Sequence, residues 1–110
     1  PNPTPASNHL TVRVDGKMVR LAFDDILFIE GLKEYVRFVC RSGRYVSLWS
    51  MKNLETALPA GRFLRVHKSF IVNAEKVRAL EGNRLDVEGH MVPVSRQKRE
   101  EIVRRLFGGG

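Results

Sequence analysis

The sequence predicts a mainly β domain with two short helices, and three observations carry that reading. Apolar and polar residues alternate with period two along most of the chain. Turn dipeptides recur at short intervals: Asp15-Gly16, Ser42-Gly43, Gly82-Asn83 and Gly89-His90. Apolar residues at helical spacing appear in two places, after Ser50 and after Ser95. The expectation is seven or more short strands.

The elements follow in order. Pro1-Asn2-Pro3-Thr4-Pro5-Ala6-Ser7-Asn8 reads as a linker that its prolines keep extended. Residues 1–9 are therefore expected to join an upstream domain, with the folded domain at 10–108. Leu10, Val12 and Val14 alternate with Thr11, Arg13 and Asp15 as a first strand. Asp15-Gly16 marks a hairpin turn, because Gly takes positive φ without a Cβ clash. Val19, Leu21 and Phe23 alternate on the return strand. Ile26-Leu27-Phe28-Ile29 is a continuous apolar run, expected to be a strand buried on both faces. Gly31-Leu32-Lys33-Glu34 interrupts it. Tyr35 to Arg41 and Tyr45 to Trp49 are rich in aromatic and β-branched residues and pair across Ser42-Gly43. Ser50 is placed to cap a helix whose Met51, Leu54 and Leu58 share one face, with Pro59 and Gly61 stopping it. Phe63 to Val66 and Phe70 to Val72 flank the polar His67-Lys68-Ser69. Val77 to Leu80, Arg84 to Glu88 and Met91 to Val94 complete the strands. Ser95 is expected to cap a last helix lined by Ile102, Val103, Leu106 and Phe107 and ended by Gly108.

The 110 residues suffice for one small domain, and 43% of them are apolar, enough for a core. The net charge of +7 suggests a polyanionic partner: nucleic acid, an anionic membrane surface or an acidic protein. A single cysteine, Cys40, excludes an internal disulfide and suits a reducing cytoplasm; within Val36 to Cys40 it is expected to act as a small buried hydrophobe. No apolar run approaches the roughly 20 residues that span a bilayer.

Enzymatic chemistry finds no foothold. His9, His67 and His90 are scattered and lack Cys or carboxylate partners at metal-ligand spacing, so no metal and no cofactor are expected. His67-Lys68-Ser69 has no nucleophile elbow around it, and neither the Walker pattern nor a Gly-x-Gly-x-x-Gly loop occurs. Basic residues instead gather in two sections: Arg62, Arg65, Lys68, Lys76 and Arg78, then Arg96, Lys98, Arg99, Arg104 and Arg105. Such residues can neutralise phosphates and release counterions, although any one of them could equally be a solvated surface cation. No helix-turn-helix pattern is present, so a duplex would have to be read by loops or strand ends. Leu32 to Tyr35, His67 to Ser69, and Ser95 to Gln97 are polar segments between apolar runs, and all three suit such reading. Lys68 and Arg96 could pair with guanine O6 and N7, Gln97 with adenine, and Ser69 and Ser95 with phosphates.

At these residues the chain resembles the LytTR family of bacterial DNA-binding domains. Phe28-Ile29-Glu30-Gly31 followed by Tyr35-Val36 is similar to that family's first signature. Ser50 to Glu55 followed by Leu58-Pro59 is similar to its central helix, and Phe63 to Asn73 to its most distinctive run. Val92-Pro93-Val94-Ser95-Arg96 is similar to its closing strand. The resemblance covers roughly residues 18–107. It implies an elongated body of small antiparallel sheets with short helices at the side, binding double-stranded DNA through loops that enter major grooves. It implies base readout by Lys33, Glu34, Tyr35, Lys68 and Arg96, and phosphate-contacting or loop-supporting roles for Arg65, His67, Ser69, Asn73, Ser95, Gln97 and Arg99. His67 and Asn73 are expected to bond backbone and hold the loop that presents Lys68, or else to touch DNA. The function implied is sequence-specific DNA binding by the output domain of a response regulator in a two-component system. A receiver domain upstream, dimers on repeated half-sites and a cytoplasmic location go with it. A basic module for a protein or membrane surface is the alternative.

Overall fold

The structure, a computed structural model, describes residues 8–108. The expected linker lies largely outside these residues; His9, its last position, already stands in the first strand opposite Ala22. Ten strands and two helices follow: β1 (His9–Val14), β2 (Lys17–Ala22), β3 (Ile26–Leu32), β4 (Tyr35–Cys40), β5 (Arg44–Leu48), α1 (Met51–Ala57), β6 (Phe63–His67), β7 (Phe70–Asn73), β8 (Val77–Glu81), β9 (Arg84–Val87), β10 (His90–Pro93) and α2 (Arg99–Phe107). All strand pairs are antiparallel.

A five-stranded sheet in the order β5-β4-β3-β7-β6 forms the middle layer. The β1–β2 hairpin and α1 cover one face, where Val12, Leu21, Ile26, Ile29, Val36, Phe38, Leu54 and Ile71 share a core. The β8–β9–β10 sheet and α2 cover the other, where Leu27, Phe28, Val66, Val72, Leu85, Val87 and Ile102 form a second core. Burying each such side chain contributes about 1.5–3 kcal/mol. The layers measure 40 × 33 × 24 Å overall.

β3 explains why both faces can be filled from one strand. Strict alternation would send Ile26 and Phe28 to the same side. A bulge lies between them, where the pairing steps from Ile26–Cys40 to Phe28–Val39. The extra residue lets Leu27 and Phe28 both join the second core while Ile26 and Ile29 join the first.

Asp15-Gly16 and Glu88-Gly89 each have positive φ at both central residues, the turn whose twist matches that of the flanking strands. Arg41, just past β4, hydrogen-bonds the Glu88 carboxylate in one of these turns, which holds that carboxyl below its usual range. Cys40 is buried, and that burial, with Asp25 nearby, pushes its thiol up to about 12.

Several boundaries differ from the sequence-based expectation. Phe23 does not extend β2; it opens a single 3-10 turn, Phe23–Asp25, and its buried ring packs edge-on against Phe63. Gly31 and Leu32 are not a break but the end of β3. Leu58 is buried as expected, one residue past the end of α1. Ser50 does cap α1, its side chain accepting from the Asn53 amide at 3.0 Å. Ser95 does not cap α2. A 3-10 turn, Arg96–Lys98, intervenes, and the Ser95 side chain makes no cap bond. Phe107 does not line the inner face of α2; it is 41% exposed, because the helix is seated by Ile102 with Val103 and Leu106 half-buried.

Candidate nucleic-acid interface

Antiparallel pairing brings two of the three polar segments to the same end of the central sheet. β3 runs out to Leu32 and returns as β4 from Tyr35, leaving Lys33-Glu34 as a two-residue turn. β6 runs out to His67 and returns as β7 from Phe70, leaving Lys68-Ser69 as another. β3 and β7 are neighbours, with Glu30 opposite Phe70, so the turns stand side by side. The Gly31 amide donates to the Ser69 carbonyl at 2.8 Å and ties them together. Two strand spacings separate the hairpin centres, about 10 Å.

The third segment reaches the same end by a different route. β6 is an edge strand, and its pairing with β7 is irregular between Arg65 and His67. Val66 falls in that irregularity, and its carbonyl accepts the Ser95 amide at 2.8 Å. Arg96 and Gln97, both exposed, follow directly. Lys33, Lys68 and Arg96, all exposed, therefore belong to three segments linked in series by hydrogen bonds at this end of the sheet.

Each support is built locally. Lys33 sits at φ 66, in the left-handed region. In the β8–β9 hairpin the corresponding first turn position is Gly82 at φ 61, where no side chain resists that conformation. A lysine there costs on the order of 1–2 kcal/mol. The Lys68 turn is held from inside: His67 Nδ1 accepts the Ser69 amide at 3.1 Å. Arg65 donates to the Lys68 carbonyl at 2.6 Å and the His67 carbonyl at 3.4 Å, and it pairs with Glu55 of α1 at 2.6 Å. Tyr35 is a strand residue beside the first turn, opposite Leu48 and half exposed.

Two candidates stand elsewhere. Asn73 is fully buried at the opposite end of β7 from Lys68. Its side-chain amide donates to the Phe23 and Ile26 carbonyls at 3.0 and 2.9 Å, and its carbonyl oxygen accepts from the Glu75 amide at 3.1 Å. It holds the Phe23–Asp25 turn, not the loop of Lys68, and it is closed to phosphate. Arg99 donates to the Gly82 carbonyl at 3.2 Å and so fastens α2 to the β8–β9 turn.

The positive charge is unevenly available. Arg62 pairs with Asp24 and Glu75, and Arg105 with Glu101, so both are partly neutralised. Among the described residues, no ion pair involves Lys33, Lys68, Arg96 or Lys98. Sequence reasoning missed Glu55 and Met51 as neighbours of the turns. Their signal was the i, i+4 spacing that puts them together on α1 beside the buried Leu54 and Leu58.

Comparison with known proteins gives the family and the fold. The family model described as LytTr DNA-binding domain matches residues 16–107. The heme-containing CO-sensing transcriptional regulator RcoM 1 of Paraburkholderia xenovorans is 34% identical over 84% of the chain, which spans 37% of that relative. The sensory transduction protein LytT of Enterococcus faecalis is 26% identical over 93% of the chain, which spans 45% of it. The chain thus spans less than half the length of these curated relatives. A solved LytTr DNA-binding domain from Bacillus cereus superposes with a TM-score of 0.77 at 24% identity, over 94% of this chain and 99% of the other.

Proposed function

The chain belongs to the LytTR DNA-binding domain family, and from that premise we propose that it binds double-stranded DNA sequence-specifically, as a transcription-regulating output domain. The observation that carries this is that the segments bearing Lys33, Lys68 and Arg96 come together at one end of the central sheet, none of the three in an ion pair among the described residues. Turns about 10 Å apart suit a major groove roughly 12 Å wide. In this reading Arg96 and Lys68 pair with guanine edges, Lys33, Glu34 and Tyr35 meet bases from the first turn, and Ser69, Ser95 and Gln97 contact backbone or base edges. His67 supports the second turn. The relatives are named for different inputs, CO sensing and sensory transduction. Here we assign the input to a receiver domain upstream, in the cytoplasm, whose phosphorylation favours dimers. Half-sites then stand about one helical turn apart or a multiple of it. Nothing in this reading involves a membrane.

The test is selection of sites from a random duplex library at about 0.15 M salt. The expected result is an enriched motif. Arg96→Ala should cost about 1–3 kcal/mol on that motif and little on random duplex. Salt-labile binding to any duplex, with no enrichment, would refute the proposal and favour a different polyanionic partner.

A further inference from the structure

α1 meets the strand that leads into the Lys33 turn and, through Arg65, the turn that carries Lys68. At its first residue, the Met51 side chain packs on Gly31 so closely that a Cβ there would lie 3.3 Å from Met51 Cγ and Sδ, and 3.7 Å from the Ser69 Cα. One turn of helix later, Glu55 holds Arg65, whose guanidinium holds the Lys68 and His67 carbonyls. Met51 and Glu55 are i, i+4 neighbours on one face, while Leu54 and Leu58 anchor the segment in the first core. We propose that α1 is a brace which sets the positions of the two turns, with Met51, Glu55 and Arg65 as positioning residues for DNA reading. This rests on the DNA-binding reading above.

The chemistry separates a brace from a contact. All three kinds of guanidinium nitrogen of Arg65 are engaged: Nη1 on Glu55, Nη2 on Lys68 and Nε on His67. Three of its five N–H donors are used within the protein, and the plane of the guanidinium is fixed by them. Glu55 makes the sharper case. It is a carboxylate close to a surface meant for a polyanion, so removing its charge should tighten DNA binding if electrostatics alone governed it. A brace predicts the opposite sign.

The experiment uses the whole chain as Glu55→Gln and, as a second variant, Arg65→Lys, which keeps the charge and loses the fork. Two readouts are taken: hydrogen exchange of the Ser69 amide by NMR in the DNA-free protein, and affinity for the selected duplex over a salt series. The expected result for both variants is faster Ser69 exchange and affinity about tenfold weaker. The salt slope should not change, because no phosphate contact is lost. Tighter or unchanged affinity, unchanged Ser69 exchange, or a shallower salt slope in either variant would overturn the proposal. If the unmodified chain selects no motif, the DNA-binding reading fails by itself. The Ser69 exchange then still decides whether α1 fixes the turn.

Discussion

Replacing Asn73 by alanine should cost about 3 kcal/mol of folding stability and leave DNA reading intact. The Asn73 side chain makes three hydrogen bonds while wholly buried: two donated, to Phe23 and Ile26, and one accepted, from Glu75. Each is worth about 1 kcal/mol net, and a partner left dry costs more than one that water can reach. The Phe23 carbonyl keeps a second donor, the Ile26 amide. The Glu75 amide belongs to an exposed residue. That puts the total near 3 kcal/mol, with about 2–4 as the range. For a domain of this size the melting temperature should fall by about 10–25 °C. Urea unfolding followed by circular dichroism at 10 °C measures the loss. The same variant, titrated with duplex well below its melting point, should bind like the unmodified chain, because Asn73 lies at the far end of β7 from Lys68. A loss below about 1 kcal/mol would refute the hydrogen-bond reasoning. A fully stable variant with weakened specific binding would mean that Asn73 belongs to the interface after all.

Lys33→Gly should fold about 1 kcal/mol more stably than Lys33→Ala, since glycine alone accepts φ 66 without a Cβ penalty, while both variants lose equal DNA affinity; paired denaturation and titration check this. Equal stabilities would show that the left-handed turn carries no strain. Cys40, its thiol pushed up to about 12, should react with a thiol reagent at pH 8 at least about a hundredfold more slowly in the folded chain than in urea. Similar rates would place it at the surface.

The sequence showed the strands and hairpins well, because each alternation and turn dipeptide acts over neighbouring residues. Val12, Leu21, Phe38 and Ile102 are buried where the patterns put them. The places of the three polar segments were also legible, since polar interruptions between apolar strands must emerge at sheet ends. What escaped was set by distant contacts. The bulge in β3 depends on Cys40 and Val39 across the sheet. Asn73 looked like part of the His67-Lys68-Ser69 motif in sequence, but a strand carries it four residues away to partners near residue 25. Arg65 read as a phosphate-contacting or loop-supporting residue, and what stayed hidden is its partner Glu55, ten residues back on a helix. Phe107 had helical spacing, but it is the last residue of α2 and its ring stays exposed.

The irregularity at Val66 has a consequence for neighbouring molecules. A sheet edge invites any passing strand to pair with it. Here the β6 edge of the central sheet is met by the Ser95 amide, which bonds the Val66 carbonyl at 2.8 Å, and on β5 at the other side the buried Ser47 hydroxyl ties the sheet to the Arg13 carbonyl of β1 at 2.6 Å. The β6 edge is thus partly occupied from within the same chain. A strand of another molecule approaching β6 would find the Val66 carbonyl already taken, which shortens the ladder it could add.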